Sequence, residues 1–197
     1  MGKGLFTSAD AWLGGFYEIS CEVCPRSDER LRAALLALWT HPDLDGCYED
    51  RNREPADQSR VSPDRLEGGH LLGIARLPNR SRLPCGTCLI REDDGSDWLV
   101  FYLPMGSLSK VYPAGGFPFG SEDDWPGPWR FEVEDWLASV GQWVARSASF
   151  ELGLIGFEVS GDVYAADIAA QGIPATRYMG YLWPSGGSMQ YYRRTES

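Results

Sequence analysis

No stretch of this 197-residue chain approaches the ~18 consecutive apolar residues that a membrane-spanning helix needs, and this excludes a spanning segment. The first ten residues, Met1 to Asp10, lack the long apolar core of an export signal, so a cytoplasmic location of the bacterial type is expected. Lysine is nearly missing, with only Lys3 and Lys110, and asparagine occurs only at Asn52 and Asn79. So uniform a bias toward arginine reads as the codon composition of a GC-rich genome and carries no functional meaning. Histidine is limited to His41 and His70. No H-E-x-x-H, no G-x-S-x-G elbow and no G-x-x-x-x-G-K-S/T loop occurs, which sets aside a zincin, an elbow-type serine hydrolase and a Walker-type NTPase. No G-x-G-x-x-G follows a strand pattern, and Gly115-Gly116 has no helix directly behind it to cradle a phosphate. Cysteine is present five times, an odd count that argues against a disulfide framework.

Acid is what the chain has in excess. Twenty-eight Asp and Glu face 18 Lys and Arg, for a net charge of −10. Such a chain repels phosphate backbones and anionic lipid, so nucleic acid and membrane are disfavoured as partners, whereas a basic partner is attracted and steered. The hydrophobic share of 43% is enough for a packed core and excludes disorder of the whole chain.

The apolar pattern gives the elements. Tyr17, Ile19, Cys21 and Val23 alternate with Glu18, Ser20 and Glu22, which predicts a half-buried strand. Ser27 suits a helix cap, and Leu31, Ala34, Leu35 and Leu38 put one apolar face on a helix over 28–40, closed by His41-Pro42. A short strand is expected over 44–48 and another over 70–77, separated by a polar loop at 49–67. Residues 85–91 and 98–103 flank Asp93-Asp94-Gly95, a hairpin signal. The stretch 104–130 is rich in Gly and Pro and predicts a second long loop. Val133, Trp136, Leu137, Val140, Trp143 and Val144 then predict a helix over about 132–147. Phe150 to Val159 reads as a central strand covered on both faces, 161–170 as a short helix ended by Gly172, and 177–183 with 189–193 as a last hairpin. Hairpins without regular βαβ alternation predict one α+β domain over 1–197. Its sheet should be largely antiparallel or mixed, with two main helices on one face.

Two constellations carry candidate chemistry. Cys21-Glu-Val-Cys24 and Cys85-Gly-Thr-Cys88 are two C-x-x-C pairs, a set that can close a tetrahedral zinc site of four thiolates. No cofactor is expected, and zinc is the one the sequence leaves open. Against it, i and i+3 on a strand point to opposite faces, and buried core cysteine is the common use of such residues. The second is the segment holding Phe117, Phe119, Glu122, Asp123, Asp124, Trp125 and Trp129. Residues 121–135 carry six carboxylates (Glu122, Asp123, Asp124, Glu132, Glu134, Asp135) against Arg130, a local balance of −5 and half the net charge. Rigid rings beside carboxylates on a proline-stiffened loop suit recognition of a cationic partner. His41, at a helix end, is expected as a dipole-paired cation. Glu151 and Glu158 are expected at the margins of their strand. The sequence therefore predicts a non-catalytic acidic module that binds a protein, in character like those that neutralise a basic toxin. The alternatives are a zinc-stabilised four-cysteine module, or a small enzyme or ligand-binding protein whose pocket lies under loop 49–67 or between loops 104–120 and 184–188.

Overall fold

The computed structural model describes residues 4–66, 69–93, 95–112 and 129–195. Among the described residues eight strands form one sheet in which every pairing is antiparallel. They are β1 (Phe16–Val23), β2 (Leu44–Tyr48), β3 (Leu71–Arg76), β4 (Arg82–Arg91), β5 (Asp97–Pro104), β6 (Leu152–Phe157), β7 (Gly180–Ser185) and β8 (Ser188–Tyr192). Their order across the sheet is β2-β3-β4-β5-β1-β6-β7-β8. The helices are α1 (Asp28–Trp39), the single turn α2 (Met105–Leu108), α3 (Trp129–Val144) and α4 (Ala165–Gln171). The α+β class is thus established. Among the described residues no helix is long and apolar enough to cross a membrane.

The first strand in sequence lies near the middle of the sheet, and that placement corrects the expectation of a half-buried strand. Its apolar row, Tyr17, Ile19, Cys21 and Val23, joins Leu99, Phe101 and Leu103 of β5 on one face. Leu31, Leu35 and Leu38 of α1 and Val133, Leu137, Val140 and Val144 of α3 belong to the same cluster. On the other face Trp98, Val100 and Tyr102 of β5, Leu152 and Leu154 of β6, Tyr181 of β7 and Ile168 of α4 make a second core. The polar row of β1 lies on this second face, and it too is buried: Glu18 is 3% exposed, Ser20 0% and Glu22 2%. At roughly 1.5–3 kcal/mol per large side chain buried, two cores on one sheet explain why a chain this acidic closes around these three polar residues.

Local signals set the helix ends. Ser27 accepts a hydrogen bond from the Arg30 amide at 3.3 Å and caps α1, with Asp28 and Glu29 in the first turn where a carboxylate meets the positive end of the dipole. At its far end the Trp39 ring lies over Gly46 and Gly73, which face each other across β2 and β3. A Cβ on either glycine would stand within 2.5 Å of that ring, so the close approach requires both. Helix α3 begins earlier than its apolar period alone indicates, because Trp129 and Arg130 are themselves buried. Gly172 ends α4 with a left-handed φ of 78°.

Candidate functional site

Of the residues expected to form a recognition loop, Phe117, Phe119, Glu122, Asp123, Asp124 and Trp125 lie outside the described residues. Trp129 is described, and it is a core residue, 5% exposed. Its ring stacks on Tyr112 at 6.0 Å and meets Tyr17 edge-on at 5.6 Å. The cause is its place in the first turn of α3, on the side that faces the sheet. The acid cluster is depleted in the same way. Glu134 is fully buried, accepts a hydrogen bond from the Tyr17 hydroxyl and lies 3.6 Å from the Arg194 guanidinium. Arg130 donates to the same hydroxyl at 3.3 Å. Burial pushes the Glu134 carboxyl above its usual range, while the Tyr17 hydrogen bond and the two guanidiniums oppose that. Asp135 is paired with Arg193. Two of the six carboxylates counted in the sequence are therefore tied within the fold.

The four cysteines that could share a zinc ion are not brought to one point. Strand β5 lies between β1, which carries Cys21, and β4, which carries Cys85 and Cys88. That gap spans two strand spacings, roughly 9–10 Å. Cys85 belongs to the core on the helix face, and Cys88 packs against the core on the opposite face, as the alternation of a strand requires. Burial also holds the Cys21 and Cys88 thiols protonated, pushing them up to about 12 and about 11. Among the described residues no group of three or more His, Cys, Asp and Glu is placed to hold a metal ion.

What the fold does assemble is a groove on the second face, at the end of the sheet where β1 finishes. It has a volume of about 700 Å³ and is built from the ends of β1 and β7, the residues that lead into β6, and α4. Three carboxylates line it: Glu22, Glu151 and Asp167. Three rings line it as well: Phe150, Tyr164 and Trp183. Among the described residues no Lys or Arg does.

Each of these carboxylates is held. Glu22 projects from β1 and accepts the Ala165 amide at 2.6 Å, so a strand carboxylate caps the start of α4. Asp167 accepts the Tyr164 amide at 3.1 Å in the same turn. Both sit where the helix dipole favours negative charge. Glu151 accepts the Cys24 amide at 2.8 Å and pairs with Arg30 at 2.5 Å. The Tyr164 hydroxyl donates to Glu92 at 2.7 Å, and its ring meets Trp98 edge-on at 5.8 Å. The result is a set of anionic oxygens and aromatic faces whose positions are fixed before any partner arrives.

Of the residues that line the groove, only two carry a site signal in the sequence: Cys24, from the first cysteine pair, and Glu151, a carboxyl at the margin of an apolar strand. It precedes β6 and is half-buried, while Glu158 follows β6 and is exposed. No local signal marks Glu22, because its burial depends on α4 arriving from 143 residues away. Comparison with known proteins returns no family model, no curated relative and no solved structure that matches this chain.

Proposed function

We propose that this chain acts by binding a cationic protein partner and that the groove beside α4 receives it. One observation carries the reading: three carboxylates and three aromatic rings converge in a groove that, among the described residues, no Lys or Arg lines. An arginine or lysine side chain entering there meets charge-assisted acceptors and ring faces together, a combination worth more than either alone. Because the acceptors are already ordered by backbone hydrogen bonds, little entropy is lost on association. The net charge of −10 raises the encounter rate of a basic partner, and the acidic stretch at Glu122, Asp123 and Asp124 adds to that field. A basic toxin neutralised by this protein is a partner of the required chemistry.

The test uses labelled octa-arginine as the probe and octa-glutamate as the control, followed by fluorescence anisotropy. Trp183→Leu keeps an apolar contact with the sheet and removes the ring face. It is expected to weaken octa-arginine binding by about fivefold to tenfold, the size of a lost cation–π contact, with the thermal midpoint little changed. Equal affinity of Trp183→Leu and the unaltered chain would remove the groove from the proposal.

A further inference from the structure

The second face holds another concave site, at the opposite end of β1. Phe16, which opens β1, lines it, whereas Glu22 in the groove above lies six residues on, roughly 20 Å along the strand. The pocket has a volume of about 340 Å³. Trp12, Phe16, Leu72 and Tyr102 supply its apolar surface, and Glu49, Asp50, Arg51, Asn52 and His70 supply polar groups. Its rim is the start of loop 49–67.

The geometry inside is specific. The Tyr102 hydroxyl lies 2.6 Å from His70 Nδ1, and the two rings meet edge-on at 5.5 Å. Phe16 packs on the Tyr102 ring at 4.3 Å. Tyr102 reaches this position only because its cross-strand partner is Gly86: a Cβ there would stand 2.4 Å from the phenol oxygen. Burial and the Arg51 charge both hold the imidazole below its usual value, so it is neutral at neutral pH. Burial holds the phenol protonated. The hydroxyl then donates to Nδ1, and Nε2–H is the donor the ring has left.

Arg51 is exposed, and none of the ion pairs among the described residues involves it. Its loop neighbours Glu49 and Asp50 line the pocket too, each held by a partner. Glu49 pairs with Arg65, and Asp50 accepts the Asn52 amide at 2.8 Å.

We infer that this pocket binds a small planar aromatic carboxylate, the ring against Trp12, Phe16 and Tyr102 and the carboxylate toward Arg51 and His70. A flat apolar body suits three ring walls, which an aliphatic chain would fill less well. A cation and an N–H donor at the pocket suit an anion with two acceptor oxygens. The volume accommodates one or two fused rings with their carboxylate. This site is separate from the proposed protein-binding groove and stands or falls without it.

The test is titration of the full chain with 2-naphthoate, followed by amide and indole N–H nuclear magnetic resonance, with 2-naphthalenemethanol as the neutral analogue. The expected result is saturable shifts at the Trp12 indole and at the Arg51 and His70 amides, with a dissociation constant at or below the millimolar range. Arg51→Gln, an exposed substitution that leaves the fold intact, is expected to weaken binding about tenfold, as is the neutral analogue, the size of one lost charge-assisted hydrogen bond. Trp183→Leu is expected to leave it unchanged. Absence of saturable shifts at Trp12, or equal binding by Arg51→Gln or by the alcohol, overturns the assignment.

Discussion

His41 shows how one residue can keep its position and reverse its role. It does follow α1, where a cation would favour the helix dipole, yet it is 7% exposed and lies between Trp136 and Trp143 at ring distances of 6.4 and 5.4 Å. Its Nδ1 accepts the Asp43 amide at 3.2 Å, a bond that needs the unprotonated nitrogen. Burial, its main cause, lowers the His41 pKa below the usual value. The unfolded chain therefore binds this proton more readily than the folded one. The stability tied to the neutral ring is complete above the unfolded value of about 6.5 and is lost as pH falls toward the folded value. His70 is shifted in the same direction, so each carries part of the effect. Thermal denaturation between about pH 7.5 and 5.5 is expected to show a falling midpoint in the natural chain and a shallower fall in His41→Gln. An unaltered slope would mean that His41 does not titrate on unfolding.

At the scale of elements, the helix and strand positions were legible because each rests on a local period. Ser27, Leu31, Leu35 and Leu38 mark α1 within a residue of its observed ends, and Gly172 marks the end of α4. Among the short elements that were not legible are the 3-10 turn Ala9–Trp12 and α2. Each is a single turn, too short for a helical period to show, and they pack on each other far apart in sequence, with Ser107 donating to the Ala11 carbonyl at 2.9 Å. The meeting of α1 with β2 and β3 was equally hidden. Gly46 and Gly73 look like ordinary turn or bulge glycines until Trp39 is placed over them. Gly73→Ala would set a Cβ 2.4 Å from the indole and 2.9 Å from the Asp45 carbonyl oxygen. Crowding of this kind costs about 1–3 kcal/mol. Urea denaturation is expected to show that loss in the natural chain and a smaller one in a Trp39→Leu background, a coupling that a double-mutant cycle measures. Equal penalties in the two backgrounds would assign the cost to the strand itself.

At the scale of the whole molecule, charge and site separate. The backbone leaves the described structure after Tyr112 and returns at Trp129, two rings stacked on each other over Tyr17 at the start of β1 on the helix face. The proposed groove is at the other end of β1 and on the other face. Glu122, Asp123 and Asp124 add, through the charge they carry, to the long-range field that a partner in that groove meets. Reversing Glu122, Asp123 and Asp124 to Lys moves the net charge by six, from −10 to −4. Stopped-flow association with octa-arginine is expected to slow by about tenfold at low salt and to lose much of its salt dependence, with the dissociation rate nearly constant. A change confined to dissociation would instead put the contact in that segment.

By itself the sequence determined the class of the fold, the order of most of its elements, the hairpins and the acidity of the molecule. These follow from composition and from periods of two and 3.6 that operate over a few neighbouring residues. Only the tertiary structure decided which faces became interior. Placing β1 between β5 and β6 buried Glu18 and Glu22, drew Trp129 and Glu134 into the core, parted the cysteine pairs and opened the groove beside α4. Those outcomes rest on contacts between residues far apart in the sequence, and no local pattern encodes the partner that a side chain will meet.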